Sequence, residues 1–353
     1  MLVETKYMQR CIDLARNGEG YVSPNPMVGA VIVCNDRIIG EGYHHRYGEA
    51  HAEPNAIRSV KDPELLKSST LYVNLEPCAH YGKTPPCAEL IKQCGIPKVV
   101  IGIQDPNPKV SGKGIEIMRK AGIEVVTGVL EKECRELNKR FLTFHEKKRP
   151  FILLKWAQTA DGFIDNIRES VEEKPLVISN EITRMLTHKM RAENQSILVG
   201  TNTVLLDNPH LTVRNWEGKS PIRIIIDKKG IAPGHYHVFD GKVPTIVFTE
   251  QNRVYPEKTN LKYIRIQRDE PDLIAELIQK IYGKSIHSVL VEGGAKLLNS
   301  FIISGYWDEI NIEISPLKTG KGVPAPQLNI SPVTRKKLGG NEWIHFYNPS
   351  NSI

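Results

Sequence analysis

Four side chains in the first quarter of the chain could do hydrolytic chemistry together: His51, Glu53, Cys78 and Cys87. His51-Ala52-Glu53 is followed by Pro77-Cys78, and Cys87 comes after a further short loop. One imidazole and two thiols are a ligand set for catalytic zinc, which takes three protein ligands and keeps a fourth position open for water. The metal makes that water acidic near neutral pH, and a carboxylate beside the metal can carry protons for the reaction. Taken singly, these residues read more readily as a core histidine, a solvated glutamate and two buried cysteines. Their order, H-x-E, then P-C, then C, favours the zinc site. A closed structural site would need a fourth protein ligand, and none is apparent.

The elements that must position these residues alternate between helix and strand. Met8, Cys11, Ile12 and Ala15 have helical spacing over 7–17. Val28–Val33 and Arg37–Tyr43 read as strands joined at Asn35-Asp36, a hairpin signal. A helix from His51 to Val60, a strand at Thr70–Leu75 and a helix opened by Pro86-Cys87 and stopped by Gly95 follow. Val99–Ile103, Gly114–Ala121 and Glu124–Thr127 continue the pattern, giving a layered α/β domain of about 145 residues. Cys87 at a helix N-terminus should have its thiol pKa lowered by the helix dipole.

The polar run His145-Glu146-Lys147-Lys148-Arg149-Pro150 reads as a linker between domains at 1–146 and 150–353. Beyond it a second α/β series begins with strand Phe151–Trp156, helix Glu181–Glu193 capped by Asn180, and strand Ser196–Val199. Strands at Ile222–Ile226, Thr245–Phe248, Tyr263–Ile266, Ser288–Val291 and Glu309–Ile314, and a helix at Leu273–Tyr282, complete it. Asn166–Pro175 is charged and turn-like and is expected to be a mobile loop.

At 353 residues, 40% hydrophobic and 25% charged, the chain suits two soluble globular domains. It has no apolar run long enough to span a membrane and no secretory leader pattern. Six sparse cysteines fit a reducing cytoplasm better than a disulfide scaffold. The net charge of +7 is spread along the chain rather than gathered into a basic stripe with interleaved aromatics. A phosphorylated small molecule accounts for it without a nucleic-acid or membrane partner. The sequence is compatible with a homo-oligomer and does not require one.

Ordered as H-x-E…P-C…C, the metal residues follow the zinc-deaminase pattern, in which nucleic-acid and free-base enzymes place two residues between the cysteines. Here eight intervene, Ala79-His80-Tyr81-Gly82-Lys83-Thr84-Pro85-Pro86. This loop, together with Ser23-Pro24-Asn25-Pro26-Met27-Val28-Gly29-Ala30, resembles the bifunctional deaminase–reductase family of riboflavin biosynthesis. The resemblance covers nearly the whole chain. It implies a cytidine-deaminase-like domain that removes the 2-amino group of a diaminopyrimidine carrying ribose 5-phosphate. One zinc per chain would then lie on His51, Cys78 and Cys87, with Glu53 as acid/base and Asn25, His44, His80 and Lys83 facing substrate. Against it stand an RNA-editing deaminase with a binding half, a structural zinc module, and a deaminase whose second domain no longer reduces.

The second half alone reads only as a nucleotide-handling α/β domain without G-x-G-x-x-G. Glu292-Gly293-Gly294-Ala295 and Ile197-Leu198-Val199-Gly200-Thr201 are strand-to-helix turns whose free amides suit phosphate. With Thr159-Ala160-Asp161-Gly162 and Asp207-Asn208-Pro209-His210-Leu211-Thr212-Val213-Arg214, they resemble the same family's reductase domain. The resemblance implies a dihydrofolate-reductase-like fold that uses NADPH to reduce the ribose to a ribityl chain. Arg191, Leu211, Arg214 and Glu292 would contact substrate. Ala157, Thr203, Asp207, Gly294, Ala295, Lys296, Leu297, Leu298, Asn299 and Ser300 would contact NADPH. Pro175 and Val177 stand where many relatives carry serine and tryptophan. No general acid is evident, and Glu193 and Glu217 are the carboxylates nearest in sequence to the two arginines.

Overall fold

Runs of β-branched residues, broken by Gly, Asn and Pro, set the strands of both halves. The computed structural model describes residues 5–79, 85–107, 110–251, 259–267 and 273–351, and its contacts divide the chain between Lys148 and Arg149. The first unit runs α1 (Thr5–Arg16), β1 (Gly29–Cys34), β2 (Arg37–Tyr43), α2 (Ala52–Ser59), β3 (Thr70–Leu75), α3 (Cys87–Gln93), β4 (Lys98–Ile103), α4 (Lys113–Lys120), β5 (Glu124–Thr127), α5 (Glu131–Leu137) and α6 (Lys139–Lys147). Its sheet has the order β2-β1-β3-β4-β5, with β1 antiparallel to both neighbours and β3, β4 and β5 parallel. The hairpin turn at Asn35-Asp36 has both residues at positive φ, as a two-residue type I′ turn requires. Apolar clusters cover both faces of this sheet, one built around Ile32, Leu71 and Ile101, the other around Met8, Val31 and Val100.

The second unit runs β6 (Phe151–Thr159), β7 (Phe163–Asp165), α7 (Glu181–Glu193), β8 (Ser196–Gly200), α8 (Thr201–Asp207), β9 (Ile222–Ile226), β10 (Thr245–Thr249), β11 (Leu261–Arg265), α9 (Leu273–Tyr282), β12 (Ser288–Gly293), α10 (Ala295–Ser304), β13 (Glu309–Ser315), β14 (Val323–Pro324), β15 (Thr334–Leu338) and β16 (Asn341–Tyr347). Nine strands form one sheet, β11-β10-β9-β8-β12-β6-β13-β16-β15, parallel from β11 to β13 and antiparallel at β16 and β15. The turns after β8 and β12 lead straight into α8 and α10 on adjacent strands. Two helix N-termini therefore sit side by side at the carboxyl edge of the sheet, where open α/β sheets take ligands.

The structure corrects one expectation. His145–Lys147 is the end of α6 rather than linker, and Arg149 is buried, its Nη1 and Nη2 donating to Asp308 at 2.7 and 2.6 Å. Asn166–Pro175 is irregular and mostly exposed, as expected, and one side chain in it is held. Arg168 has a nearly inaccessible side chain, donates from Nε to Asp165 at 2.8 Å and from Nη1 to the Leu206 carbonyl at 3.0 Å, and pairs with Asp207.

Asn180 caps α7 as expected. Its Oδ1 accepts from the Thr183 amide at 3.0 Å, and its Nδ2 donates to the carbonyls of Leu338 and Gly339. Asn180→Ala should lower the stability of this unit by roughly 1–2 kcal/mol. Denaturant unfolding reads this directly, and an unchanged midpoint would mean that the cap is not holding the helix.

Candidate functional site

Three elements of the first unit bring the metal residues together. His51 is the N-cap of α2, Cys78 follows β3, and Cys87 opens α3. His51 Nδ1 lies 3.6 Å from Cys78 Sγ and 3.4 Å from Cys87 Sγ, and all three ligand atoms fall within 4.8 Å of one another. Tetrahedral zinc with ordinary Zn–S and Zn–N bonds places such nitrogen and sulfur atoms about 3.5 Å apart, so the residues fit the ion. Among the described residues this is the one His/Cys/Asp/Glu group of that kind.

Side chains that sequence reasoning passed over hold the cluster in place. Glu76 is buried just before Cys78, and its carboxylate accepts from the amides of Asp105, Gly112, Gly114 and Ile115 at 3.0–3.3 Å. A Cβ at Gly114 would lie 2.1 Å from the Pro77 carbonyl, so α4 packs on this segment only through glycine. The α3 N-terminus acts on a different thiol from the one expected. The Cys87 amide donates to Cys78 Sγ at 3.3 Å. Hydrogen bonds from Cys87 and His51 hold Cys78 well below the usual thiol range, while Cys87 is pushed up by its sulfur neighbour and by burial.

Glu53 is buried, and burial raises its pKa to about 7 even against the attraction of the His51 imidazole. A carboxyl poised there is matched to moving protons near neutrality. His44 and Asn25 stand next to the cluster. The His44 ring lies edge-on to His51 at 5.5 Å, its Nδ1–H donates to the Ala50 carbonyl at 3.0 Å, and Nε2 is left to accept from Asn25 Nδ2 at 3.1 Å. Burial lowers the His44 pKa, which favours this neutral form. His80 and Lys83 lie outside the described residues.

In the second unit a cleft of about 990 Å³ opens at the carboxyl edge of β6, β12, β8 and β9. Its lining includes Ala157, Thr203, Asp207, Glu292 and the Gly294 turn with Ala295, Lys296, Leu297, Leu298 and Ser300. Gly293 has φ +134, a conformation that suits glycine. Asn299, Arg191, Leu211 and Arg214 do not line this cleft. Arg191 lies beside it, its Nε and Nη2 donating to Glu292 at 2.7 and 2.6 Å, so its partner is Glu292 rather than Glu193, which pairs with Lys189. Arg214 donates from Nη1 to Thr212 Oγ1 at 3.1 Å and from its amide to His188 Nδ1 at 3.0 Å. Among the described residues it has no carboxylate partner. Leu211 is buried at φ +53.

Asp207 faces the cleft already paired with Arg168. Val177, one of the two departures, is 72% exposed on the cleft wall. Lys155, which sequence reasoning did not single out, also lines the cleft. It is buried, and desolvation lowers its pKa against the pull of Glu292 and Glu313. Its signal was a single lysine inside the apolar strand Phe151-Ile152-Leu153-Leu154-Lys155-Trp156.

A His/Cys/Cys cluster beside a buried carboxyl, with a sheet-edge cleft at two helix N-termini in the other unit, is what a zinc hydrolase joined to a nucleotide-binding α/β domain presents. Comparison with known proteins identifies which one. Residues 1–103 match the cytidine and deoxycytidylate deaminase zinc-binding region, and residues 150–339 match the RibD C-terminal domain. The riboflavin biosynthesis protein RibD of Aquifex aeolicus is 41% identical, over 93% of this chain and 91% of that protein. RibD of Bacillus amyloliquefaciens is 44% identical, over 92% of this chain and 88% of that protein. The crystal structure of a diaminohydroxyphosphoribosylaminopyrimidine deaminase/5-amino-6-(5-phosphoribosylamino)uracil reductase from Thermotoga maritima superposes with a TM-score of 0.86 at 39% identity, covering 98% of both chains. The chain belongs to the RibD family of riboflavin-biosynthesis proteins. It is a bifunctional enzyme, a zinc-dependent deaminase followed by an NADPH-dependent reductase.

Proposed function

We propose that the first unit, residues 1–146, deaminates 2,5-diamino-6-ribosylamino-4(3H)-pyrimidinone 5′-phosphate. The second, residues 150–353, then reduces the product's ribose to give 5-amino-6-(5-phosphoribitylamino)uracil. The observation that carries this is the His51/Cys78/Cys87 cluster beside buried Glu53, in one chain with the Lys155–Glu292 cleft. Bound zinc supplies a water acidified enough to attack near neutral pH. Glu53 takes the proton of the attacking water and delivers it to the departing amine, so that a C–O bond forms, the C–N bond breaks and ammonia leaves. Asn25 and His44, and from the inter-cysteine loop His80 and Lys83, hold the substrate.

In the second unit NADPH supplies a hydride to the sugar C1. Ala157, Thr203, Asp207 and the Gly294–Ser300 turn and helix position it. Lys155, an ammonium at the cleft wall, donates to the sugar ring oxygen as its bond to C1 breaks and negative charge develops on it, and so provides the balancing proton. Arg191, Leu211, Arg214 and Glu292 orient the phosphorylated substrate. Thiolate ligands suit a reducing cytoplasm, where we place the enzyme. No helix of the described residues is long and apolar enough to cross a membrane.

Incubating the protein with the diaminopyrimidine ribotide should release ammonia without NADPH and oxidise NADPH only after deamination. Ammonia release with no cofactor oxidation would leave a deaminase whose second unit does not reduce. Elemental analysis should find one zinc per chain, lost in Cys87→Ser and kept when Cys11, Cys34, Cys94 or Cys134 is replaced. Unchanged zinc in Cys87→Ser would overturn the ligand assignment.

A further inference from the structure

Strand β13 alternates polar and apolar residues, Glu309-Ile310-Asn311-Ile312-Glu313-Ile314, a pattern that ordinarily leaves one face in water. Here the polar face is covered. Glu313 is fully buried, and Lys155 on the neighbouring strand β6 is buried but for its edge on the cleft. In the register Asn311 pairs with Lys155 and Glu313 with Ala157, so Lys155 and Glu313 share a sheet face, one step apart on adjacent strands.

The Glu313 carboxylate is surrounded by donors. Ser179 Oγ donates to Oε2 at 2.7 Å, while Thr183 Oγ1 and Asn341 Nδ2 donate to Oε1, each at 2.5 Å. Lys155 Nζ stands 3.8 Å from Oε2. Asn341 Nδ2 also donates to the Ile178 carbonyl at 3.2 Å, tying the same network to the stretch just before α7. Ile178, Ser179 and Lys155 all line the cleft, and Glu313 does not.

The charges close as a set of four. Lys155 is faced by Glu292 from β12 and Glu313 from β13, with Arg191 of α7 as the other cation. Glu292 is committed to Arg191 through two hydrogen bonds. Lys155 therefore has two counter-charges, Glu292, which it shares with Arg191, and Glu313, whose remaining partners are all neutral and whose charge falls to Lys155 alone.

We infer that Glu313 is a positioning residue of the reductase site, holding the Lys155 ammonium charged and aimed while anchoring the Ile178–Ser179 wall of the same cleft. It touches neither substrate nor cofactor. The inference rests on the reading of the cleft as the reductase site and of Lys155 as its donor. A buried cation deprived of its counter-charge sheds its proton. Without Glu313, Lys155 should therefore become neutral at a lower pH, and reduction should fade there.

The test is the pH profile of the reductase on pre-deaminated substrate, in the full chain loaded with NADPH. In Glu313→Gln the alkaline limb should move down by about one pH unit or more, and kcat should fall on the order of tenfold. Deaminase turnover should hold, and the second unit's melting transition should remain cooperative. In a Lys155→Met background, Glu313→Gln should add no further change to the limb. A Glu313→Gln limb that superimposes on the unsubstituted enzyme, while Lys155→Met is damaged, overturns this inference alone. A Lys155→Met variant with an unaltered profile overturns the reading of Lys155 as well. Should glutamine at 313 prevent folding, Glu313→Asp keeps the charge but withdraws it by one methylene. It should shift the limb less, in the same direction, and an unmoved limb would count against the proposal.

Discussion

Glu53→Gln is expected to keep zinc and fold while losing deaminase turnover by about 10²–10⁴-fold, the usual worth of a general acid–base group. Glutamine has nearly the same shape, so the buried pocket beside His51 stays filled, but an amide cannot take a proton from water and return it to the amine. Glu53 is buried against the ligand cluster, so no solvent group is at hand to replace the lost carboxyl. Reductase turnover on pre-deaminated substrate should be unchanged, because each unit has its own apolar cores. Zinc content, ammonia release and NADPH oxidation, measured on one preparation, decide it. A parallel fall of both activities would show that the sites are not independent, and a loss of zinc would make Glu53 a supporter of the ligands instead.

The metal centre was legible in the sequence because it is built from rare residue types in a fixed order, placed at element boundaries that Gly95, Pro86 and the Thr70–Leu75 run announce. Its support was not legible. Glu76 looks like any glutamate at a strand end until four amides from a loop and helix 29 to 39 positions away converge on it. The same holds for the assignment of the low-pKa thiol. Cys87 begins the helix, yet the first amide of α3 points at Cys78 Sγ, and only the folded loop shows that. The helices α5 and α6 escaped notice because their charged residues mask short apolar faces, and the polar end of α6 reads as linker. In the second unit local pattern gave the strands but not their partners. Ion pairs such as buried Arg149–Asp308 and the cleft-side Arg168–Asp207 and Arg191–Glu292 join residues far apart in sequence, and no spacing rule reaches across such distances.

Those pairings separate the two arginines that the resemblance sends to the substrate. Arg191 is already balanced, its guanidinium bidentate on Glu292 and its Nη1 on the Thr212 carbonyl at 3.2 Å. Arg214 is not. Burial and the nearby Arg191 charge lower its pKa, which marks a guanidinium lacking a counter-charge. His188 next to it is pushed down to about 4 by burial and by the two arginines, so it stays neutral and adds no charge of its own. A phosphate arriving here would supply the missing anion, and a guanidinium grips it bidentately. Arg214→Ala should therefore weaken substrate use by roughly 2–5 kcal/mol, chiefly through KM, with NADPH binding and the unfolding midpoint nearly unchanged. Arg191→Ala should damage more than binding. It takes from half-buried Glu292 its bidentate partner and leaves only Lys155 to balance it, a loss in stability of roughly 1–3 kcal/mol that substrate cannot restore. Kinetics, cofactor titration and denaturant unfolding on both variants separate the two cases. If Arg214→Ala abolished NADPH binding and left substrate kinetics intact, the ligands would be assigned to the wrong sides of the cleft, and the uncompensated guanidinium would belong to the cofactor's phosphates.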